Sequence, residues 1–298
     1  MKKEYIADFA LFMVAIMWGL SFIVMKNALA VIEVFNLLGI RFIAAALICM
    51  VIFFKQFRTI DLVTIKRGVF IGFFLFAGYA VQTYGLNFTT ASKSAFITGF
   101  TVVLVPVLTP IIMKQFPGIS EIMAAIIAFI GIGCLSLTGD INSINKGDVL
   151  TLLGAFAFAF QIILIGKFAK TSNNINSAIV QIAFVGVLST IISLLLGTFT
   201  IQHQPNTWGA VLFLSVFCTA YSFVVQNMAQ KHTTPARTSL IFTFEPVSAP
   251  IFAYFLLGEV LTPLGMFGAL LVILGMLLSE LDLIGKIKSW IKTTESEV

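Results

Sequence analysis

The sequence predicts an all-α polytopic membrane protein with ten transmembrane helices in two inverted five-helix repeats. Of its 298 residues, 59% are hydrophobic and only 10% are charged, whereas a soluble domain carries about 25% charged residues. Apolar stretches long enough to cross a bilayer, which takes about 20 helical residues, recur along the whole chain. A third observation is a repeat, since 89-TTASKSAFITGFTVVLVPVL-108 returns as 233-TTPARTSLIFTFEPVSAPIF-252.

Ten apolar runs, bounded by charged residues, Gly, Pro and Asn, predict the spans. The first imitates a signal peptide, with Lys2 and Lys3 before it and 28-ALA-30 after it. Its apolar part is longer than the apolar region of a signal peptide usually is, so we expect an uncleaved first helix. The spans are approximately 7–26, 34–54, 68–87, 94–113, 120–138, 148–166, 177–198, 208–229, 238–257 and 263–281.

The distribution of Lys and Arg predicts the orientation. Ten spans place both termini on one side of the membrane, and that side then holds fourteen Lys and Arg against three on the other, with Arg41 inside a span. Basic residues accumulate in cytoplasmic segments, so we expect cytoplasmic termini and a cytoplasmic tail over 283–298. We interpret the formal net charge of +5 as topology rather than as nucleic-acid binding.

The repeat predicts two antiparallel halves, 1–140 and 145–282. Its copies form the fourth and ninth spans, and an odd number of crossings between them makes them antiparallel. Two inverted halves can open a site at their interface to either side of the membrane in turn. The alternative is a duplication retained only for packing. Residues that match at an offset of 144 include Thr89 and Thr233, Thr90 and Thr234, Phe100 and Phe244, Pro106 and Pro250, and Gln82 and Gln226.

Several of these segments carry a family resemblance. The stretches 16-IMWGLSFIVMK-26, 79-YAVQTYGLNFTTASKSAFITGFTVVLVPVLTPI-111 and 245-EPVSAPIFAYFLLGEVLT-262, with Arg41 and Phe42, resemble the EamA branch of the drug/metabolite transporter superfamily. The resemblance implies a ten-helix, five-plus-five inverted fold in a bacterial cytoplasmic membrane. It also implies a central cavity and the export of small metabolites, amino acids or drugs.

Two ionisable residues fall deep inside predicted spans, where charge is costly and functional candidates are found. Glu245 is a candidate for binding a proton or a cationic substrate, or alternatively a structural carboxyl beside Pro246. Arg41 would suit a substrate carboxylate, or it caps carbonyl groups and locks the second span to a neighbour. Asp8, Glu33 and Glu259 are expected near the membrane surfaces, where we assign them no role.

Uncharged polar and aromatic residues within the spans form the predicted substrate site. Buried amides need partners in lipid, so these side chains should face the interior of the bundle, unless they serve only as bonds between helices. Amides with aromatic rings suit a small amphipathic or zwitterionic ligand. The candidates are Trp18, Ser21, Tyr79, Gln82, Gln161, Tyr221, Gln226 and Asn227.

Prolines and glycines predict hinges and close packing. Pro106 and Pro250 are matched in the two copies and are candidate hinges, or sources of static curvature, because proline interrupts helical hydrogen bonding. Gly131, Gly133, Gly265, Gly268 and Gly275 predict close contact of the fifth and tenth spans. The three cysteines lack metal-ligand spacing, and we expect neither a metal site nor a cofactor.

These patterns favour a secondary transporter over an enzyme. The sequence contains no P-loop motif for ATP, and its two histidines, His203 and His232, are predicted in loops at opposite surfaces. The expected partners are the lipid bilayer and a small-molecule substrate, with amino acids as the first candidate and export as the direction. The alternatives are a multidrug exporter of lipophilic cations, a channel, and a scaffold or receptor that transports nothing.

Overall fold

A computed structural model describes residues 2–136, 145–201, 205–257 and 262–281, and within these ranges every regular element is helical. The predicted tail, Glu259, His203 and most of the boundary between the halves lie outside them. A π-helical segment, Val216–Tyr221, separates α10 from α11. The helices are α1 Lys2–Ala28, α2 Val34–Ile52, α3 Phe54–Phe57, α4 Leu62–Gly85, α5 Ala91–Thr98, α6 Thr101–Met113, α7 Ile119–Ser136, α8 Lys146–Phe168, α9 Asn174–Leu195, α10 Pro205–Ser215, α11 Ser222–Ala229, α12 Pro235–Phe242, α13 Glu245–Leu257 and α14 Pro263–Leu281.

Eight stretches of the described chain are long and apolar enough to cross a membrane. Two further apolar helical stretches, Ile119–Cys134 and Pro263–Gly275, are shorter. They coincide with the predicted fifth and tenth spans. The protein is therefore an all-helical, multi-pass membrane protein. The eight long stretches are Lys3–Ala28, Val34–Ile52, Leu62–Gly85, Ala91–Met113, Lys146–Phe168, Asn174–Leu195, Thr207–Ala229 and Pro235–Leu256.

Both copies of the sequence repeat are broken in the middle. The first consists of α5 and α6 and the second of α12 and α13, and the break falls at the same place in each copy, after Thr98 and after Phe242. Tight turns of the same geometry join the halves of each copy, since the amides of Phe100 and Phe244 donate to the carbonyls of Ile97 and Ile241 at 3.1 Å in each case.

Proline explains the break in the second copy. Pro246 lies in the first turn of α13, where its missing N–H costs nothing, whereas a continuous helix would force its ring against the Phe242 carbonyl. The candidate hinges Pro106 and Pro250 lie instead inside α6 and α13, six residues after Phe100 and Phe244. Their role as hinges stays a prediction.

The ends of α1 define two faces of the bundle. Near the start of α1, Asp8 is ion-paired with Arg237 at the start of α12, and we call this end the N-terminal face. Near its end, Lys26 donates to the Thr89 carbonyl at 2.9 Å, directly before α5. There Lys93 of α5 pairs with Asp148 of α8, and we call this end the opposite face. Hence α5 and α12 begin at different faces.

Apolar side chains from several helices meet around Trp18. One cluster joins α2, α4, α9 and α11 through Phe42, Tyr79 and Phe223. A second joins α1, α6, α8 and α12, and a third joins α1 to α2 and α10. The Trp18 ring contacts all three clusters, so the centre of the bundle is organised around α1.

Glycine allows α7 and α14 to pack closely, as the sequence predicts. A Cβ atom at Gly131 would lie 2.6 Å from the Gly268 carbonyl oxygen and 2.8 Å from the Leu271 Cβ, and one at Gly275 would lie 2.9 Å from the Ala124 carbonyl oxygen. By contrast, among the described residues no atom outside the backbone of α7 itself lies within 4 Å of the position a Cβ would take at Gly133.

We predict opposite effects for two alanine substitutions in α7. Gly131→Ala should lower the free energy of unfolding in detergent by about 1–3 kcal/mol, because overpacking forces the helices apart. Gly133→Ala should leave it unchanged or raise it by up to about 1 kcal/mol, because alanine is the better helix former. Denaturant or thermal unfolding followed by circular dichroism measures both, and equal destabilisation would contradict the packing of α7 on α14.

Candidate functional site

A small cavity lies at the centre of the bundle, between α1, α4, α8 and α11 and the two helix breaks. Its volume of about 50 Å³ holds a few water molecules, and it is far below the roughly 300–1,000 Å³ of pockets that bind small molecules. In this form the cavity is thus too small to hold a substrate of that size. The described lining residues are Trp18, Ser21, Phe22, Met25, Tyr79, Gln82, Thr98, Thr101, Phe158, Gln161, Ile162, Phe223, Gln226, Phe242 and Glu245.

Fourteen of these fifteen residues form seven pairs at constant spacing along the chain. The numbering offset is 140 between α1 and α8 and 144 elsewhere, and the latter is the offset of the sequence repeat. Only Met25 has no counterpart in the lining. The pairs are Trp18 and Phe158, Ser21 and Gln161, Phe22 and Ile162, Tyr79 and Phe223, Gln82 and Gln226, Thr98 and Phe242, and Thr101 and Glu245.

The structure brings together six of the eight predicted substrate-binding residues. Trp18, Ser21, Tyr79, Gln82, Gln161 and Gln226 line the cavity. Tyr221 does not, and the expectation that it faces the interior is wrong, since its side chain is 42% exposed. It precedes Gln226 by five residues, which places the two on different sides of a helix.

The amides of the site are hydrogen-bonded to protein groups in this form. Gln82 donates to the Thr98 hydroxyl at 2.7 Å, and Gln161 and Gln226 exchange hydrogen bonds of 3.2 and 3.3 Å. Behind them, Gln181 donates to the side-chain oxygen of Asn227 at 2.9 Å. Asn227 is therefore a bond between helices in this form rather than a lining residue, and a polar ligand would have to replace the Gln bonds with its own.

Glu245 is the single charged side chain among the described lining residues. It is 8% exposed and opens α13 directly after the break, where the helix dipole favours a carboxylate. In the described part of the chain it forms no ion pair. Gly19 permits this placement, because a Cβ there would lie 2.8 Å from the Glu245 carbonyl oxygen.

Aromatic rings cover much of the remaining wall. The Trp18 ring lies 4.8 Å from that of Phe242 and 5.5 Å from that of Phe223, and the Tyr79 ring lies 5.3 Å from that of Phe158. Rings with a carboxylate form an environment that attracts organic cations, through the ring faces as well as the charge.

The π-helical segment presents a carbonyl group both to Trp18, which lines the cavity, and to Arg41. Trp18 Nε1 donates to the Cys218 carbonyl at 2.9 Å, and Arg41 Nη2 donates to the same oxygen at 3.2 Å. Arg41 Nε also donates to the Thr219 hydroxyl at 2.6 Å. Arg41 is fully buried and does not line the cavity, so in this form it caps one carbonyl and locks α2 to the π-helical segment.

Sequence reasoning did not select eight of the lining residues. Phe158 and Phe223 could have been found as the repeat partners of Trp18 and Tyr79, and Thr98 and Phe242 as partners of each other. Phe22, Met25 and Ile162 carry no signal in the sequence, because they resemble every other apolar residue of a span. Thr101 is the partner of Glu245.

Comparison with known proteins assigns the chain to a family. A profile described as the EamA-like transporter family matches residues 5–137 and 145–281, which is most of the chain. The chain belongs to the EamA-like transporter family. The resemblance found in the sequence is thereby confirmed, and this EamA-like protein is a multi-pass membrane protein of a transporter family.

Relatives of this EamA-like protein extend over most of its length. It is 32% identical over 282 residues to an uncharacterized transporter of Archaeoglobus fulgidus, covering 94% of this chain and 87% of that protein. It is 27% identical over 210 residues to the uncharacterized transporter YyaM of Bacillus subtilis, covering 68% of each. One structure, described as "Crystal structure of protein", matches with a TM-score of 0.76 at 12% identity, covering 92% of this chain and 96% of that one; this likeness concerns the fold alone.

We predict that Arg41→Lys destabilises this EamA-like protein. A lysine cannot reproduce the planar fork that bonds the Thr219 hydroxyl and the Cys218 carbonyl together, so the free energy of unfolding in detergent should fall by about 1–3 kcal/mol. The exposed Arg58→Lys is the matched control and should change it by less than about 0.5 kcal/mol. Normal stability with weakened ligand binding in Arg41→Lys would instead make Arg41 a ligand for a substrate carboxylate.

Proposed function

We propose that the chain is a secondary transporter with ten membrane-spanning helices in two inverted five-helix repeats. It carries small metabolites with an amino group, amino acids first among them, by alternating access at the central cavity. The N-terminal face is the cytoplasmic one, in a bacterial plasma membrane, and the direction is export.

The directions of the broken helices support the inversion. Arg237 near the start of α12 contacts Asp8 at the N-terminal face, whereas Lys93 near the start of α5 contacts Asp148 at the opposite face. The helices α5 and α6 thus run toward the N-terminal face, and their copies α12 and α13 run away from it. The family profile likewise covers two segments of similar length, 5–137 and 145–281.

The composition of the cavity is the observation that carries the proposal. Seven pairs of repeat-related residues surround it, so it lies where the two halves meet. A site in that position can face either side of the membrane as the halves exchange conformations. A packing role alone would not require amides and a carboxylate at the same point, because such groups are costly in lipid.

The chemistry of the lining favours a substrate with a protonated amine. Glu245 supplies the charge for it, and the rings of Trp18 and Phe242 supply apolar and cation-π contact. The amides of Gln82 and Gln226 can donate to a carboxylate once their present bonds break, which suits an amino acid. A lipophilic cation is the second candidate, because it needs only the carboxylate and the rings.

Glu245 also provides a means of coupling. A single buried carboxylate can hold either a proton or a cationic substrate, so binding of one displaces the other. Exchange of the two across the membrane would use a proton gradient to drive export. No nucleotide would then be needed.

We predict that purified protein in liposomes catalyses counterflow of amino acids, and that Glu245→Gln reduces it at least about tenfold, equivalent to about 1.4 kcal/mol of binding or barrier energy. The glutamine keeps the shape and removes the charge. Counterflow of radiolabelled amino acids, lipophilic cations and nucleosides is measured in parallel.

The exposed Glu33→Gln is the matched control and should transport normally. Counterflow of lipophilic cations alone would select the second candidate. Counterflow of nucleosides alone, or undiminished amino-acid transport by Glu245→Gln, would contradict the assigned role of the carboxylate.

A further inference from the structure

Two buried ion pairs lie at opposite faces of the bundle. In the first, which we call the α5 ion pair, Lys93 Nζ lies 2.7 Å from Asp148 Oδ2. In the second, the α12 ion pair, Arg237 Nη2 lies 2.6 Å from Asp8 Oδ2. Both carboxylates are 5% exposed, and each basic side chain reaches toward solvent.

The two ion pairs are copies of each other. Lys93 and Arg237 are related by the repeat offset, and each follows a threonine cap, Thr90 or Thr234, whose side chain accepts from the backbone N–H of that basic residue at 3.1 Å. Asp8 and Asp148 are 140 positions apart, which is the offset that relates α1 to α8 in the cavity lining. Such agreement at two offsets indicates one arrangement present twice, once at each face.

Each ion pair connects the two halves of the chain. Lys93 belongs to the first half and Asp148 to the second, whereas Arg237 belongs to the second half and Asp8 to the first. In each case the broken helix of one half is held to the first helix of the other. Movement of the halves against each other must therefore break or rearrange these bonds.

Both ion pairs lie close to the cavity along the helices that line it. Lys93 precedes the lining residue Thr98 by five positions, and Arg237 precedes the lining residue Phe242 by the same number. Five helical residues correspond to about 7.5 Å. The cavity thus lies between the two ion pairs, with one toward each face.

The α12 ion pair lies between an open vestibule and the inner cavity in the order of residues along α12. A surface cavity of about 470 Å³ at the N-terminal face is lined by Thr233 and Thr234, which directly precede α12, together with Lys3 and Lys231. Arg237 follows Thr234 by three positions and precedes by five positions Phe242, which lines the inner cavity of about 50 Å³. An ion pair at this position is placed to control access from the vestibule to the site.

We propose that the α5 and α12 ion pairs are the two gates of the transport path, closing opposite ends of the cavity and opening in alternation. The proposal rests on the proposed alternating-access function. With both ion pairs formed, the two halves are held together at both faces, and the cavity between them is small. Ion pairs suit this role for two reasons. An intact buried pair adds little net stability, so opening a gate need not cost much, whereas removal of one partner leaves a buried charge unpaired and strongly disfavours the gate's closed form.

Accessibility of the cavity from each side tests the gates. The parent for this experiment has Cys49, Cys134 and Cys218 replaced by alanine and carries Ser21→Cys. Its single cysteine then lies in the cavity lining and reports whether a reagent reaches the cavity. A membrane-impermeant maleimide is added to right-side-out vesicles and, separately, to inverted vesicles. We expect Asp8→Asn to raise the labelling rate about tenfold from one side only, and Asp148→Asn to raise it by a similar factor from the other side only.

Two further variants separate gating from a loss of structure. Asp61→Asn removes an exposed carboxylate that caps α4 and should not change labelling from either side. The charge exchange of Asp8→Arg with Arg237→Asp should return the labelling rate to that of the parent. Increases from both sides, from the same side in both Asn variants, or from neither side would overturn the proposal.

Counterflow by the protein with its native Ser21 and cysteines distinguishes this proposal from the proposed function. Side-specific labelling without counterflow of any tested compound would leave the gates in place and reject the substrate class. Counterflow with labelling that does not depend on the side would leave transport in place and reject the gates.

Discussion

Backbone N–H and C=O groups need partners at membrane depth, so a membrane helix can be interrupted only where protein or a cavity meets the interruption. In the described part of the chain, the breaks before α6 and α13 lie at the cavity, and the π-helical segment is hydrogen-bonded to Trp18 of its lining. Thr101 and Glu245 occupy the first positions of α6 and α13. Breaks of this kind would be costly where a helix faces lipid, but here they place the polar side chains of Thr101 and Glu245 at the site.

The π-helical segment shows how one such interruption is stabilised. Its Cys218 carbonyl accepts from Trp18 of α1 and from Arg41 of α2, while the Thr219 hydroxyl accepts from Arg41 and donates to the Leu214 carbonyl. Three elements are therefore joined at one buried point. Trp18 also contacts the ring of Phe242 at the end of α12, so this network also contacts α12.

The sequence predicted the eight long apolar helical stretches and most polar residues of the site, because both depend on local composition or on comparison of the chain with itself. Gln82 and Gln226 are rare residue types in apolar runs, and their position in the repeat marks them. The helix breaks were not predicted, since Gly99 and Thr243 are ordinary in continuous membrane helices, and Pro246 at the second break corresponds to Val102 in the first copy. Asp8 and Lys93 received no role, because their partners lie far away in sequence and only the fold brings them together.

The cavity is symmetric in its positions and asymmetric in its chemistry. Each half supplies the same seven positions, yet Thr101 in one half corresponds to Glu245 in the other, and Thr98 corresponds to Phe242. In the proposed alternating-access mechanism, equivalent positions would give the two halves similar motions, which access from both sides requires. The different side chains would give the proposed ligand one orientation, with its cationic group at α13 and its polar end near Gln82 and Thr98. A molecule bound in this way would not need to turn over, because the halves would exchange their conformations around it.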